Sequence, residues 1–163
     1  MTISGEDERA VATTSARAAM LIRKPVAEVF EAFVDPAITA QFWFTGGSAR
    51  LAPRTEVRWD WAMYNASALV QVKEVEPHER IRIEWASYGG TTSVEWRFTS
   101  LAGGTFVSIT ESGFAGDAAA IANGAIESTE AFAMVLAGLK ALLEHGVRLN
   151  LVGDRFPPGL AAE

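Results

Sequence analysis

Few side chains in this 163-residue chain could do chemistry, and Glu111 is the best placed of them. It closes the stretch "TFVSITESG", so if Val107 and Ile109 face the interior, strict alternation turns Glu111 inward as well. An inward carboxylate needs a partner or has its pKa shifted upward, because burying an unpaired charge is costly. The other placement has the strand bulge or end at Thr110, which sends Glu111 to solvent. In the first case Glu111 is a polar group inside the fold and the one candidate for an acid or base.

The remaining reactive types are sparse. There is no cysteine, which excludes disulfides, thiolate metal sites and a cysteine nucleophile. The two histidines, His78 and His145, read as a turn residue and as the end of a helix, where an imidazole suits the dipole. They form no HExxH-like pair and neither stands beside an obvious serine nucleophile, so no metal site and no triad is indicated. The "TGG" and "AGG" turns lack the lysine and strand-to-helix setting of a phosphate loop, so no nucleotide or other cofactor is implied. Tyr64 and Tyr88, near strand ends, could serve as hydrogen-bond donors at a rim or lie on the surface.

Aromatic residues are the second conspicuous set. In "VRWDWAMY", Val57, Trp59, Trp61 and Met63 alternate with Arg58 and Asp60, giving a strand with one oily face. Trp85, Trp96 and Phe98 take inward positions in "IRIEWAS" and "TSVEWRFTS" by the same rule. Each tryptophan can bury about 150–250 Å². Such a surface is either solid core or the wall of a chamber. An empty cavity of about 300 Å³ would cost on the order of 7 kcal/mol, which rivals the stability of a domain. A chamber must therefore be hydrated, occupied or largely filled by these rings.

The elements that hold these residues are set by periodicity. Residues 1–16 read as a loose polar arm. A strand over Arg17 to Arg23 precedes a helix in "PVAEVFEAFVDP", whose Val26, Val29, Phe30 and Phe33 form a stripe that Asp35-Pro36 ends. A second short helix, "AITAQFW", stops at Gly46-Gly47. From Ser48 to Ser112 the period is two, and short turns separate strands that pair as an antiparallel meander with one wet face. Arg58, Asp60, Arg82, Glu84, Glu95 and Arg97 are expected as cross-strand pairs on that face. The last major element runs from about Asp117 to His145, with Phe132, Val135, Leu136, Leu139, Leu142 and Leu143 on one stripe and Gly146 as the C-terminal cap. The fold class expected is α+β, a curved antiparallel sheet wrapped around a long C-terminal helix, with one domain over 17–146 and an extension over 147–163.

Composition narrows the role further. A net charge of −6 argues against nucleic-acid binding. No apolar run approaches the roughly 20 residues that span a bilayer, and the start "MTISGEDERA" is unlike a secretion signal, so a cytoplasmic location is expected.

The order of elements, with the segments "KPVAEVFEAFVDPAITAQFW", "VKEVEPHERIRIEW", "GGTFVSITESGF" and "FAMVLAGLKALLEHG", resembles the helix-grip fold of the START-like (SRPBCC) superfamily. Within it, the chain is similar to bacterial proteins akin to the C-terminal domain of the activator of the ninety-kilodalton heat-shock protein's ATPase. Two positions depart from the family pattern: Phe132 replaces a common tryptophan, and "APRT" replaces a common Gly-Gly pair. The resemblance implies a cavity between sheet and helix. Phe42, Trp43, Trp59, Trp61, Trp85, Trp96, Phe98, Glu111, Phe132 and Leu136 would line it. The leading expectation is non-catalytic binding of a small hydrophobic or aromatic molecule there. One alternative is an aromatase-like or cyclase-like enzyme using Glu111; another is a chaperone-interacting module. The tail "VRLNLVGDRFPPGL", through Leu149, Leu151 and Phe156, should pack on the body or on another subunit, and with a sheet edge it offers surfaces for a homodimer.

Overall fold

The computed structural model describes residues 14–160, so most of the expected arm lies outside the described residues. Strand β1 (Ala16–Ile22) leads into helices α1 (Val26–Val34) and α2 (Pro36–Thr39). Asp35 serves both helices: its backbone N–H donates to Glu31 O as α1 ends, and its carboxylate accepts from the Ala37 N–H at 2.9 Å to start α2. The second helix is shorter than expected, and the chain from Ala40 onward turns to carry Phe42, Trp43 and Phe44 into the core.

Strands β2 (Gly46–Gly47), β3 (Thr55–Trp61), β4 (Ala66–Glu76), β5 (Arg80–Ser87), β6 (Gly90–Leu101) and β7 (Gly104–Ser112) complete one antiparallel sheet. Its order is β1-β7-β6-β5-β4-β3-β2, so the meander is closed by the first strand pairing with the last. Val57, Val70, Ile83, Val94, Trp96 and Ile109 take the inner face, as the alternation requires. Strand β3 is the exception to the expected length. It ends at Trp61 and passes into a 3-10 turn over Ala62–Tyr64, which leaves Met63 exposed rather than on the tryptophan face. The turn at "APRT" holds Arg54 at φ 60, in the left-handed region that a glycine would enter freely.

On the wet face, ion pairs do form, but many join residues two apart on one strand. Arg58 pairs with Asp60 at 2.9 Å and Arg97 with Glu95 at 2.6 Å, while Glu95 also reaches across to Arg80 at 2.7 Å. Long side chains on the same face of a strand can lean along it, and that reach competes with the cross-strand neighbour.

Helix α3 (Ala118–His145) is capped by the Asp117 carboxylate on the Ala120 N–H and by Gly146 at φ 66. It lies closest to β1. The Lys140 ammonium donates to Leu21 O at 2.8 Å, and the Glu144 carboxylate accepts from the Arg23 N–H at 3.0 Å, pinning the end of the helix to the end of β1. With the helix held to that side, the concave surface over β3, β4 and β5 needs other cover. Aromatic rings and the C-terminal extension supply it. This is the helix-grip arrangement, with a sheet that curves about one long helix.

Candidate functional site: an aromatic chamber with a buried carboxylate

A chamber of about 370 Å³ lies between the helix and the β3–β5 side of the sheet. Its existence is a matter of residue size. Inward positions on β4 are occupied by Ala66 and Ala68, which leave the space that larger side chains would fill, and Ala86 of β5 borders the same space from the strand's outer-face register. Trp61 and Trp85 stand on the sheet side, and Phe132 and Val135 on the helix side. Exposed Tyr88, Ala131 and Phe156 border its open end, so the space is accessible to water and does not carry the full cost of a sealed void.

The aromatic set named from the sequence divides in two. Trp43, Trp61, Trp85, Phe132 and Glu111 line the chamber. Phe42, Trp59, Trp96, Phe98 and Leu136 do not; they are buried in the solid core beside it. Strands β3 and β6 explain this partition. Trp59 and Trp96 sit deeper in the sheet, beneath Trp43, whose centroid lies 5.0 Å from that of Trp59 and 6.1 Å from that of Trp96. Trp43 is thus both floor of the chamber and roof of the core. Its ring also stands 6.1 Å from Trp61, 6.2 Å from Trp85 and 5.8 Å from Phe132. Most of these contacts are edge-to-face, the arrangement that aromatic quadrupoles favour.

Strand β7 runs without a bulge to Ser112, which places Glu111 inward at 1% exposure. Three donors receive its carboxylate. The Trp85 Nε1–H donates to Oε2 at 2.9 Å, the Thr92 hydroxyl donates to the same oxygen, and the Ser128 hydroxyl donates to Oε1. Each donor comes from a different element: β5, β6 and α3. Glu111 therefore ties the helix to the sheet at the polar end of the chamber. None of the three partners is charged, and among the described residues no cation forms an ion pair with Glu111.

Thr92 and Ser128 were not singled out from the sequence, although both carried a signal. Thr92 is two residues before Val94 and inherits the inner face of β6; Ser128 is four before Phe132 and is the polar interruption in the apolar stripe of α3. Tyr88, at φ 51 in the β5–β6 turn, borders the same end. Burial, and then the negative charges of Glu111 and Glu127, push its phenol up to about 12, so it is a neutral hydroxyl at ordinary pH.

The extension forms the outer wall. Helix α4 (Leu151–Asp154) brings Val152 against the core, and the Tyr64 hydroxyl donates to the carbonyls of Val152 and, at 3.3 Å, Gly153. Phe156 meets the Tyr64 ring edge-on at 6.0 Å, and Arg155 pairs with Glu130 of α3 while lying 4.3 Å over the Phe156 ring. In the monomer the tail packs on the body, with Leu149 left exposed. His78 and His145 lie away from the chamber, the former edge-on to Phe30 at 5.7 Å. Among the described residues no helix is long and apolar enough to cross a membrane.

The sequence model of the family described as Activator of Hsp90 ATPase homolog 1-like protein matches residues 23–144. Among solved structures, protein SSP2350 from Staphylococcus saprophyticus is similar at a TM-score of 0.73 and 27% identity, over 83% of this chain and 95% of that one. DynU16, from the dynemicin biosynthetic locus, gives 0.73 at 24% identity over 83% of this chain and 49% of its own. The Aha1 dimer from Colwellia psychrerythraea gives 0.69 at 15% identity, over 81% and 97%. For the last two the likeness is one of fold alone. No curated protein matches the sequence significantly.

Proposed function

The chain belongs to the Activator of Hsp90 ATPase homolog 1-like family, and on that footing we propose that it binds a small hydrophobic or aromatic molecule between its sheet and its long helix. The observation that carries this reading is the chamber itself. It has about 370 Å³ of space within an otherwise close-packed interior, walled by Trp43, Trp61, Trp85 and Phe132 and left open by the inward alanines Ala66 and Ala68. A fold with no need of that space would fill it, because large inward side chains at Ala66 and Ala68 would add buried apolar area at no cost in topology.

Binding without turnover fits the polar end better than catalysis does. The Glu111 carboxylate is engaged by Trp85, Thr92 and Ser128, and among the described residues that line the chamber there is no histidine or lysine to share a proton with it. Its role is then to orient a guest.

Tryptophan fluorescence and thermal shift against a library of apolar aromatics test the reading. A ligand present at about 100 times its Kd stabilises by roughly 2.7 kcal/mol, which raises the midpoint by roughly 5–10 °C for a chain of this size. Ala68→Leu, which pushes a larger side chain into the chamber, should abolish that shift while leaving the unliganded midpoint equal or higher. No response from the native chain across the library, or an undiminished response from Ala68→Leu, would remove the chamber as the binding site.

A further inference from the structure

The polar end of the chamber is negative, and among the described residues no cation forms an ion pair with Glu111 there. A carboxylate offers about four acceptor positions. On Glu111 the Oε2 oxygen accepts from both Trp85 Nε1–H and the Thr92 hydroxyl, whereas Oε1 accepts from the Ser128 hydroxyl alone. One position on Oε1 is left for a guest, and only a hydrogen-bond donor can use it. All three resident donors are neutral, so they solvate the charge without cancelling it.

The surroundings reinforce the sign. Glu127 adds a second negative charge near Tyr88, and the Tyr88 phenol, pushed up to about 12 by burial and by these two carboxylates, contributes no charge of its own at neutral pH. Arg155 is the single cationic side chain among the described lining residues, and it is committed to Glu130 and to the face of Phe156. The walls are the rings of Trp61, Trp85 and Phe132, whose π faces attract positive charge and repel negative.

Taking ligand binding in the chamber as given, we propose that the guest is a hydrophobic amine, cationic at neutral pH. Its ammonium N–H donates to Glu111 Oε1 and its apolar body lies against Trp61, Trp85 and Phe132. A neutral alcohol could use the same acceptor position but would leave the buried charge uncompensated. A carboxylate of the same shape would meet Glu111 with like charge and bring an acceptor where a donor is needed.

Isothermal titration of the full chain at neutral pH with three probes of one shape tests this: 1-naphthylmethylamine, 1-naphthalenemethanol and 1-naphthoate. The amine should bind at least about tenfold tighter than the alcohol, and the naphthoate weakest. In Glu111→Gln the advantage of the amine over the alcohol should disappear. An alcohol that binds as tightly as the amine, or an amine preference that survives Glu111→Gln, overturns this inference and leaves the ligand-binding reading intact. Failure of all three probes overturns both. The ranking on the native chain stands by itself if the variant does not fold.

Discussion

Glu111 shows how a single buried charge can be made tolerable without a counter-ion. A carboxylate at 1% exposure would be ruinous if bare, but Trp85, Thr92 and Ser128 replace the water it has lost. Hydrogen bonds to a charged group are the stronger kind, worth about 1.5–3 kcal/mol each. Ser128→Ala, which trims only one hydroxyl from α3, should therefore lower unfolding stability by about 1.5–3 kcal/mol in urea titration. A serine on an exposed helix face would show no such loss, and a change below about 0.5 kcal/mol would mean that Ser128 is not part of the cluster. Tyr88 reports on the same charge. Because its folded-state pKa of about 12 lies above the ordinary 10.0, the folded chain holds this proton more tightly than the unfolded one. The associated stability is whole below pH 10 and is lost as the pH rises toward 12. Ultraviolet titration of phenolate should show one tyrosine ionising late, and Tyr88→Phe should delete that step. Glu111→Gln should bring it to lower pH, since one of the opposing charges is gone.

At the scale of elements, the chamber exists because α3 is held to one side of the sheet and α4 closes the other. The principal strands and the long helix were legible, because periods of two and of 3.6 are imposed by which side of each element meets water. Strand β7 carried Glu111 inward for that same reason. Two features escaped. Where a strand stops depends on the conformation of the next few residues, and the 3-10 turn over Ala62–Tyr64 cut β3 short and moved Met63 out of the tryptophan face. The division between core and chamber was equally hidden, because alternation says which way a tryptophan points and not how deep it stands; the telling residues were the small inward ones, Ala66 and Ala68. The course of the tail could not be read either, since a segment with a few scattered apolar residues fits many surfaces. Its attachment rests on few contacts, the Tyr64 hydroxyl on the carbonyls of Val152 and Gly153 foremost. Tyr64→Phe should accelerate amide exchange across Leu151–Asp154 severalfold while shifting global stability by less than about 1.5 kcal/mol. Unchanged exchange there would show that Val152 and the Arg155–Glu130 pair hold the tail without it.

For the whole molecule, the long helix is fastened to the sheet at two places by two different devices. Near its middle the fastening is the neutral-donor cluster on Glu111; at its end two charged helix side chains, themselves paired at 2.7 Å, reach backbone groups, Lys140 donating to Leu21 O and Glu144 accepting from the Arg23 N–H. For Glu144, burial raises the pKa, but Lys140 and the Arg23 N–H outweigh it, and the result lies below the ordinary 4.5. Glu31, paired with Arg50, and Glu95, whose burial is outweighed by Arg80 and Arg97, are lowered as well. A lowered carboxylate binds its proton less tightly folded than unfolded, so its stabilisation is whole above pH 4.5 and is lost as the pH falls through the folded value. The thermal midpoint should accordingly fall as the solution is taken below about pH 5. Glu144→Gln isolates the part that the carboxylate charge plays at this end. The substituted amide cannot carry the charge at any pH, so the variant should be less stable than the native chain at neutral pH, and the gap should close in acid as native Glu144 becomes protonated. A gap that stays constant from neutral pH down to about pH 3 would mean that the amide's geometry, and not the lost charge, is what weakens the end of the helix.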